Sequence, residues 1–163
     1  MSNSLLPKRL LFDTIYIMVQ SQALQKYTLF NGLQDDQIGK TIPFMQQEKY
    51  EPDTEIIAEG KPNDKLFFLL EGQVAVVKKD IVLARFGEGE SFGEMEVLDV
   101  IPAAASIKSL SQVTVLSISN KNLREIYKAD VGTFSLIIMN LARDLSRRLR
   151  KMDEKLASSP VLI

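Results

Sequence analysis

The sequence has neither cysteine nor histidine among its 163 residues. Without cysteine, the chain forms no disulfide, ligates no iron–sulfur cluster and has no thiolate nucleophile. Without histidine, it lacks the usual ligand of haem and zinc and the base of Ser-His-Asp or Cys-His catalysis. An enzyme built on this chain would rest on carboxylates alone, and no pattern pairs them for acid–base work. The composition therefore predicts a protein that is not an enzyme.

Excess charge and long apolar segments are also missing. The net charge is −1, with 45% hydrophobic and 25% charged residues, which is typical of one globular domain without a field that attracts nucleic acid or anionic lipid. The apolar stretch from Leu10 to Val19 is interrupted by Asp13 and is too short to span a bilayer. We expect a cytoplasmic protein with no membrane contact.

The pattern of apolar residues divides the chain into four segments. Residues 1–43 form a helical segment. One or two helices are expected from Leu5 to Tyr27, where Leu6, Leu10, Ile17 and Leu24 recur at helical spacing, and a short one from Gln34 to Phe44 after a break. Residues 44–119 carry short apolar runs at Glu55–Ala58, Leu66–Leu70, Val74–Val77, Ile81–Phe86, Ala105–Ile107 and Val113–Ile118. Glycine-rich and Asp/Asn-rich turns separate these runs. Such spacing predicts a β-sandwich or barrel and no parallel sheet.

Residues 120–157 return to helical spacing, and residues 158–163 form a short tail. We expect Asn120 to cap one helix and Asp130 to cap a longer one that extends to Leu156. The long helix carries an apolar stripe of Val131, Phe134, Ile138, Leu141, Leu145, Leu149, Met152 and Leu156. This stripe either packs on its own barrel or pairs with a second copy. Its length favours a homodimer through the 130–156 helix.

Several segments in order resemble the cyclic-nucleotide-binding domain family. They are Phe30-Asn31-Gly32-Leu33, the run from Glu59-Gly60 through Leu66 to Val76, the approach Gly87 to Glu94, and Pro102-Ala103-Ala104-Ala105-Ser106. The resemblance implies an eight-stranded jelly-roll-like β-roll with flanking helices, mainly β, as in the sensory half of catabolite-activator-type regulators. It also implies a regulatory, signal-transducing role with cAMP or cGMP as ligand.

The resemblance also assigns a phosphate-binding cassette. Its candidate ligand-binding residues are Phe92, Gly93, Glu94, Met95, Ala103, Ala104, Ala105 and Ser106. Glu94 matches the family's acceptor for the ribose 2′-hydroxyl, and Ser106 matches its Ser/Thr position. Backbone N–H groups after Gly93 and around Ala104 and Ala105 can form an anion-binding nest.

The cassette departs from the family at its main cation. The family usually has arginine where this chain has Ala103, and the stretch from Phe86 to Ser106 contains five carboxylates but no lysine or arginine. Losing a bidentate contact to phosphate predicts weak or altered ligand binding. Arg85 and Lys108 flank the stretch, and either of them is a candidate substitute.

Other interpretations of these residues remain open. In a structural module, Met95 or a residue of the long helix would fill the pocket, leaving a surface for a partner protein. The carboxylates match no calcium-loop spacing, and the glycines make a very weak dinucleotide signal. The basic run Arg147 to Lys151 is expected to be the solvated face of a helix. The chain ends soon after the long helix, so we expect no direct DNA binding.

Overall fold

The computed structural model describes residues 23–158, whose strands form two four-stranded antiparallel sheets. The strands are β1 Gln46–Tyr50, β2 Glu55–Ile57, β3 Lys65–Glu71, β4 Val74–Lys78, β5 Ile81–Phe86, β6 Ser91–Phe92, β7 Ser106–Ser109 and β8 Val113–Ser119. One sheet has the order β1-β8-β3-β6 and the other β2-β7-β4-β5. The prediction of an eight-stranded roll is confirmed.

Two of these strands lie outside the predicted apolar runs. Strand β1 reads Gln-Gln-Glu-Lys-Tyr, and its residues pair with β8 from Gln46 opposite Ser117 to Tyr50 opposite Val113. Strand β6 has only two residues, and it places Phe92 opposite Phe67. A polar edge strand and a two-residue strand show little apolar periodicity in the sequence. Both are therefore recognised only by their hydrogen-bonded pairing with neighbouring strands.

The helices flank the roll. They are α1 Asp35–Thr41, α2 Glu94–Asp99, α3 Asn120–Ala129 and α4 Val131–Ser158, with 3₁₀ turns at Thr28–Phe30 and Ile42–Phe44. The predicted helix before Tyr27 lies mostly outside the described residues, as does the tail after Ser158. No helix within residues 23–158 has the length and apolarity needed to cross a membrane.

The capping residues agree with the prediction at one helix and not at the other. Asp130 caps α4 as expected, because its carboxylate accepts from the backbone N–H of Thr133 at 3.0 Å and from the Thr133 hydroxyl at 2.8 Å. Asn120 does not cap α3. Ser119 does, since its hydroxyl accepts from the backbone N–H of Asn122 at 3.1 Å.

The core has two parts. One lies between the roll and the helices, where Leu24, Phe30, Phe68, Ile137 and Leu141 pack together. The other fills the roll between the two sheets and includes Phe67, Phe92, Ala103, Ile107 and Val115. The inner cluster therefore reaches the cassette, while the outer cluster holds α4 on the roll.

The buried face of α4 differs from the predicted stripe. Thr133, Ile137, Asn140 and Leu141 are buried, and of these only Leu141 belongs to the stripe. The Asn140 amide donates to the backbone carbonyls of Leu29 at 3.0 Å and Asn31 at 2.8 Å, which ties α4 to the first 3₁₀ turn. Of the other stripe residues, Phe134, Ile138 and Leu145 are half-buried, and Val131, Leu149, Met152 and Leu156 are exposed.

Gly72, in the turn between β3 and β4, gives a test of the roll's tight packing. Its φ is +87°, and a Cβ there would lie 2.2 Å from the backbone oxygen of Gln112. Gly60 has a similar φ of +75°, but a Cβ added to Gly60 would have no atom within 4 Å. We expect Gly60→Ala to lower the free energy of unfolding by about 1–2 kcal/mol through backbone strain. Gly72→Ala should lower it by about 1–3 kcal/mol more through overpacking.

Urea unfolding of both variants measures that difference. Equal losses for Gly60→Ala and Gly72→Ala would contradict the close approach of the two turns.

Candidate nucleotide-binding site

The cassette begins where β6 turns into α2. Phe92 is buried and stacks on Phe67 with ring centroids 4.9 Å apart. Gly93 follows with φ +79°, and a Cβ there would lie 2.6 Å from the backbone oxygen of Lys65. Only glycine fits this left-handed and crowded position. The turn thereby fixes the direction of α2 and places Glu94 at its first residue.

Glu94 is buried and paired with a residue of the long helix. Only 5% of Glu94 is exposed. The guanidinium of Arg148 donates to Glu94 Oε1 at 3.1 Å and also contacts Asp144 Oδ2 at 2.6 Å, one turn earlier on α4. Arg148 belongs to the basic run that was predicted to be a solvated helix face, and for this residue that prediction is wrong.

The surroundings of Arg148 hold its guanidinium in a fixed place. It lies over the ring of Phe86, 4.4 Å from the centroid, and it donates to the backbone oxygen and the hydroxyl of Ser91. Two buried atoms of the pair, Glu94 Oε2 and Arg148 Nε, have no hydrogen-bond partner. The pair therefore leaves one carboxylate oxygen able to accept another donor.

Burial dominates the electrostatics of Glu94. Desolvation raises the pKa of its carboxyl above the ordinary value of 4.5, because the buried charge loses more hydration than Arg148 returns. The neighbouring carboxylates Glu96 and Asp144 raise the pKa further. Glu94 is thus a charged group held in an unfavourable place, which is common at ligand sites.

The second half of the cassette is held mainly through its backbone. Ala103 is 3% exposed, its N–H donates to Lys61 O at 2.9 Å, and its carbonyl accepts from the N–H of Gly60 at 2.8 Å. Ser106 is buried, and its hydroxyl accepts from the N–H of Glu59 at 3.0 Å. Ala104 is exposed and Ala105 is partly buried. Hydrogen bonds thus hold the segment from Ala103 to Ser106 against the turn from Glu59 to Lys61.

Neither cation proposed as a substitute faces the cassette. Arg85 and Lys108 both lie opposite Ala75 in the sheet, so they share its face. The adjacent residues Phe86 and Ile107 point into the inner core, and side chains alternate along a strand. Arg85 and Lys108 therefore lie on the outer face, and both are exposed.

One cation that sequence reasoning missed does lie beside the cassette. The ammonium of Lys78, at the end of β4, donates to the carbonyl of Ala104 at 2.8 Å. It also lies 3.9 Å from Glu59 Oε1. The sequence contained an indication of this position, because Val74, Val76 and Lys78 are alternate residues of β4 and therefore share one face of the strand.

One alternative for the pocket needs correction. Met95 does not fill it, because Met95 is 53% exposed. Glu96, on the same helix α2, is buried. Within residues 23–158, no group of His, Cys, Asp or Glu has an arrangement that would hold a metal ion.

Comparison with known proteins shows the family of the chain. The family model of the cyclic nucleotide-binding domain matches residues 47–130, which are 84 of the 163 residues. The cyclic AMP receptor protein of Thermus thermophilus is 30% identical over 133 residues, covering 78% of this chain and 60% of the relative. The chain therefore belongs to the cyclic nucleotide-binding domain family.

Solved structures show the same fold. A cyclic nucleotide-binding domain from Methylobacillus flagellatus KT superposes with a TM-score of 0.78 at 24% identity, covering 93% of this chain and 88% of that one. The catabolite activator protein of Thermus thermophilus has a TM-score of 0.68 at 27% identity, covering 80% of this chain and 62% of that one. The chain spans about 60% of the length of the curated relative it matches.

The raised pKa of Glu94 predicts how the effect of its replacement on stability changes with pH. A carboxyl whose pKa is raised on folding binds its proton more tightly in the folded state, so the contribution of Glu94 to stability falls as the pH rises above 4.5. Glu94→Gln does not titrate. We expect the free energy of unfolding of the variant to rise relative to that of the wild type between about pH 4 and pH 7.

Urea unfolding over a pH series measures this difference. Glu125→Gln is the control, because Lys128 lowers the pKa of Glu125 and the sign should reverse. If the free energy of unfolding of Glu94→Gln fell relative to that of the wild type with rising pH, the burial of a poorly solvated carboxylate would be contradicted.

Proposed function

We propose that this chain is a non-catalytic regulatory module that binds a cyclic nucleotide weakly and passes its occupancy to the long helix α4. The observation that carries the proposal is the cassette itself. Glu94 is in place with a buried oxygen that lacks a donor, while Ala103 stands where the family has its arginine. Such a pocket keeps the ribose contact and loses the strongest phosphate contact.

Glu94 and Arg148 supply the coupling in this proposal. A ribose hydroxyl that donates to Glu94 Oε2 would share the carboxylate with Arg148, which belongs to α4. Any change in that carboxylate's position or charge alters the contact between the roll and the helix. The ligand thereby has a direct path to α4 through one ion pair.

The proposal includes a homodimer through α4. The positions Ile138, Ala142, Leu145, Leu149, Met152 and Leu156 are spaced 4, 3, 4, 3 and 4 residues apart. This is the spacing of a coiled-coil seam, and it lies beside the face that packs on the roll. Leu149, Met152 and Leu156 are exposed, so a second copy has apolar surface to bury.

A structural module with a self-filled pocket is the second candidate. It is supported by Arg148, which already occupies one Glu94 oxygen and is stacked on Phe86. In that case the ion pair replaces the ligand, and the domain acts only by contact with a partner protein. Nucleotide titration separates the two candidates.

Restoring the missing cation tests the proposed pocket. We expect Ala103→Arg to tighten the binding of cAMP or cGMP, because a buried charge pair at this position contributes about 2–5 kcal/mol, or roughly thirtyfold to several-thousandfold in Kd. Isothermal titration calorimetry measures the affinity. Ala129→Arg is the matched control, since Ala129 is exposed at the end of α3, away from the cassette, and gains the same charge.

Three results are informative in this titration. Weak binding by the wild type and tight binding by Ala103→Arg support the proposal. Absence of binding by a folded Ala103→Arg variant would overturn the assignment of the cassette. A wild-type chain that binds tightly would overturn the prediction of weak affinity.

The dimer seam has its own test. Leu149→Gln removes an apolar side chain from each copy, so the dimer dissociation constant should rise at least about tenfold. Ala157→Gln is the control, because Ala157 is exposed on α4 outside the seam. Sedimentation equilibrium of the full chain measures both constants. Equal dimer dissociation constants for Leu149→Gln and Ala157→Gln would contradict a dimer interface along these positions.

A further inference from the structure

The orientation of Lys78 points to a role that rests on the function proposed above. Along β4, Val74 and Val76 pack into the inner core of the roll. Side chains two residues apart share a face, so Lys78 belongs to this inner face and not to the outer one. It is the last residue of the strand.

Sheet register brings Lys78 to the cassette. Strand β4 pairs with β7 from Val74 opposite Ser109 to Val77 opposite Ser106. Lys78 follows Val77, so it lies next to the start of β7 at Ser106. The 2.8 Å hydrogen bond from its ammonium to the carbonyl of Ala104 agrees with this register.

Glu59 completes the arrangement around the ammonium. Its carboxylate lies 3.9 Å from Lys78 Nζ, and its backbone N–H donates to the hydroxyl of Ser106. The ammonium therefore lies between one carboxylate and the Ala103–Ser106 segment. It is partly exposed, with 44% of the side chain accessible.

We propose that Lys78 is the cation that receives the phosphodiester anion of the ligand in place of the missing cassette arginine, with Glu59 as the counter-ion that the anion displaces. Lysine offers a point charge on a flexible stem and binds phosphate without the two parallel bonds of arginine. A partly solvated ammonium already paired with a carboxylate gives a modest attraction. This accounts for a site that binds an anion while remaining weak.

Titration calorimetry with cAMP on the full chain tests the role of Lys78. Lys78→Met should raise Kd about two- to fivefold, the range of a partly exposed ion pair. Lys79→Met is the matched control, because Lys79 is the exposed neighbour in the turn and its loss changes the net charge equally. Lys78→Arg keeps the charge and should bind at least as tightly as the wild type.

Replacement of the counter-ion gives an effect of opposite sign. Glu59→Gln should lower Kd by about the same factor, since it removes the carboxylate that competes with the ligand. This gain should vanish in the Lys78→Met background, because the two residues act on each other. Glu55→Gln is the control, an exposed carboxylate opposite Lys108 on the outer face.

Each outcome decides the proposal. Equal Kd values for Lys78→Met and Lys79→Met would overturn it, as would a gain from Glu59→Gln that persists without Lys78. A wild type that does not bind at millimolar ligand, while Ala103→Arg does, would also overturn it, because Lys78 would then supply no usable attraction. That last result would leave the pocket intact and the assignment of the cassette standing.

Discussion

The pair between Glu94 and Arg148 is the interaction on which the functional geometry depends. It joins the first residue of α2 to the long helix α4 and lies almost entirely out of water. A buried ion pair of this kind contributes little net stability, because desolvation offsets most of the attraction. Its contribution is to position: the guanidinium also contacts Asp144 and Phe86, so the helix and the roll have one relative arrangement that satisfies all of them.

The second constraint is the packing of Ala103 in the second half of the cassette. Ala103 is buried among the apolar residues of the roll and fixed by two backbone hydrogen bonds to the Gly60-Lys61 turn. In the proposed cassette this residue carries no charge that would balance an anion.

Sequence patterns predicted the strands that carry apolar runs and missed those that hydrogen bonding alone defines. Apolar runs indicated β3, β4 and β8, whose residues pack in the core, and β5, of which Phe86 packs against the core while Ile81, Val82 and Leu83 are exposed. The polar strand β1 has no such pattern.

Arg148 was assigned to solvent because helical periodicity shows which residues share a face and not what that face meets. Two-residue alternation from Val74 places Lys78 on the face of Val76, but only the strand pairing of the structure places Arg85 and Lys108 on the opposite face.

The Asn140 amide has a mechanical consequence. Its two hydrogen bonds end on the carbonyls of Leu29 and Asn31, so α4 cannot rotate about its axis without pulling the 3₁₀ turn at Thr28–Phe30 or breaking both bonds. The 3₁₀ turn before the roll is therefore coupled to the rotation of the long helix. A fluorophore placed near residue 27 would sense the motion of a helix whose far end lies several turns away.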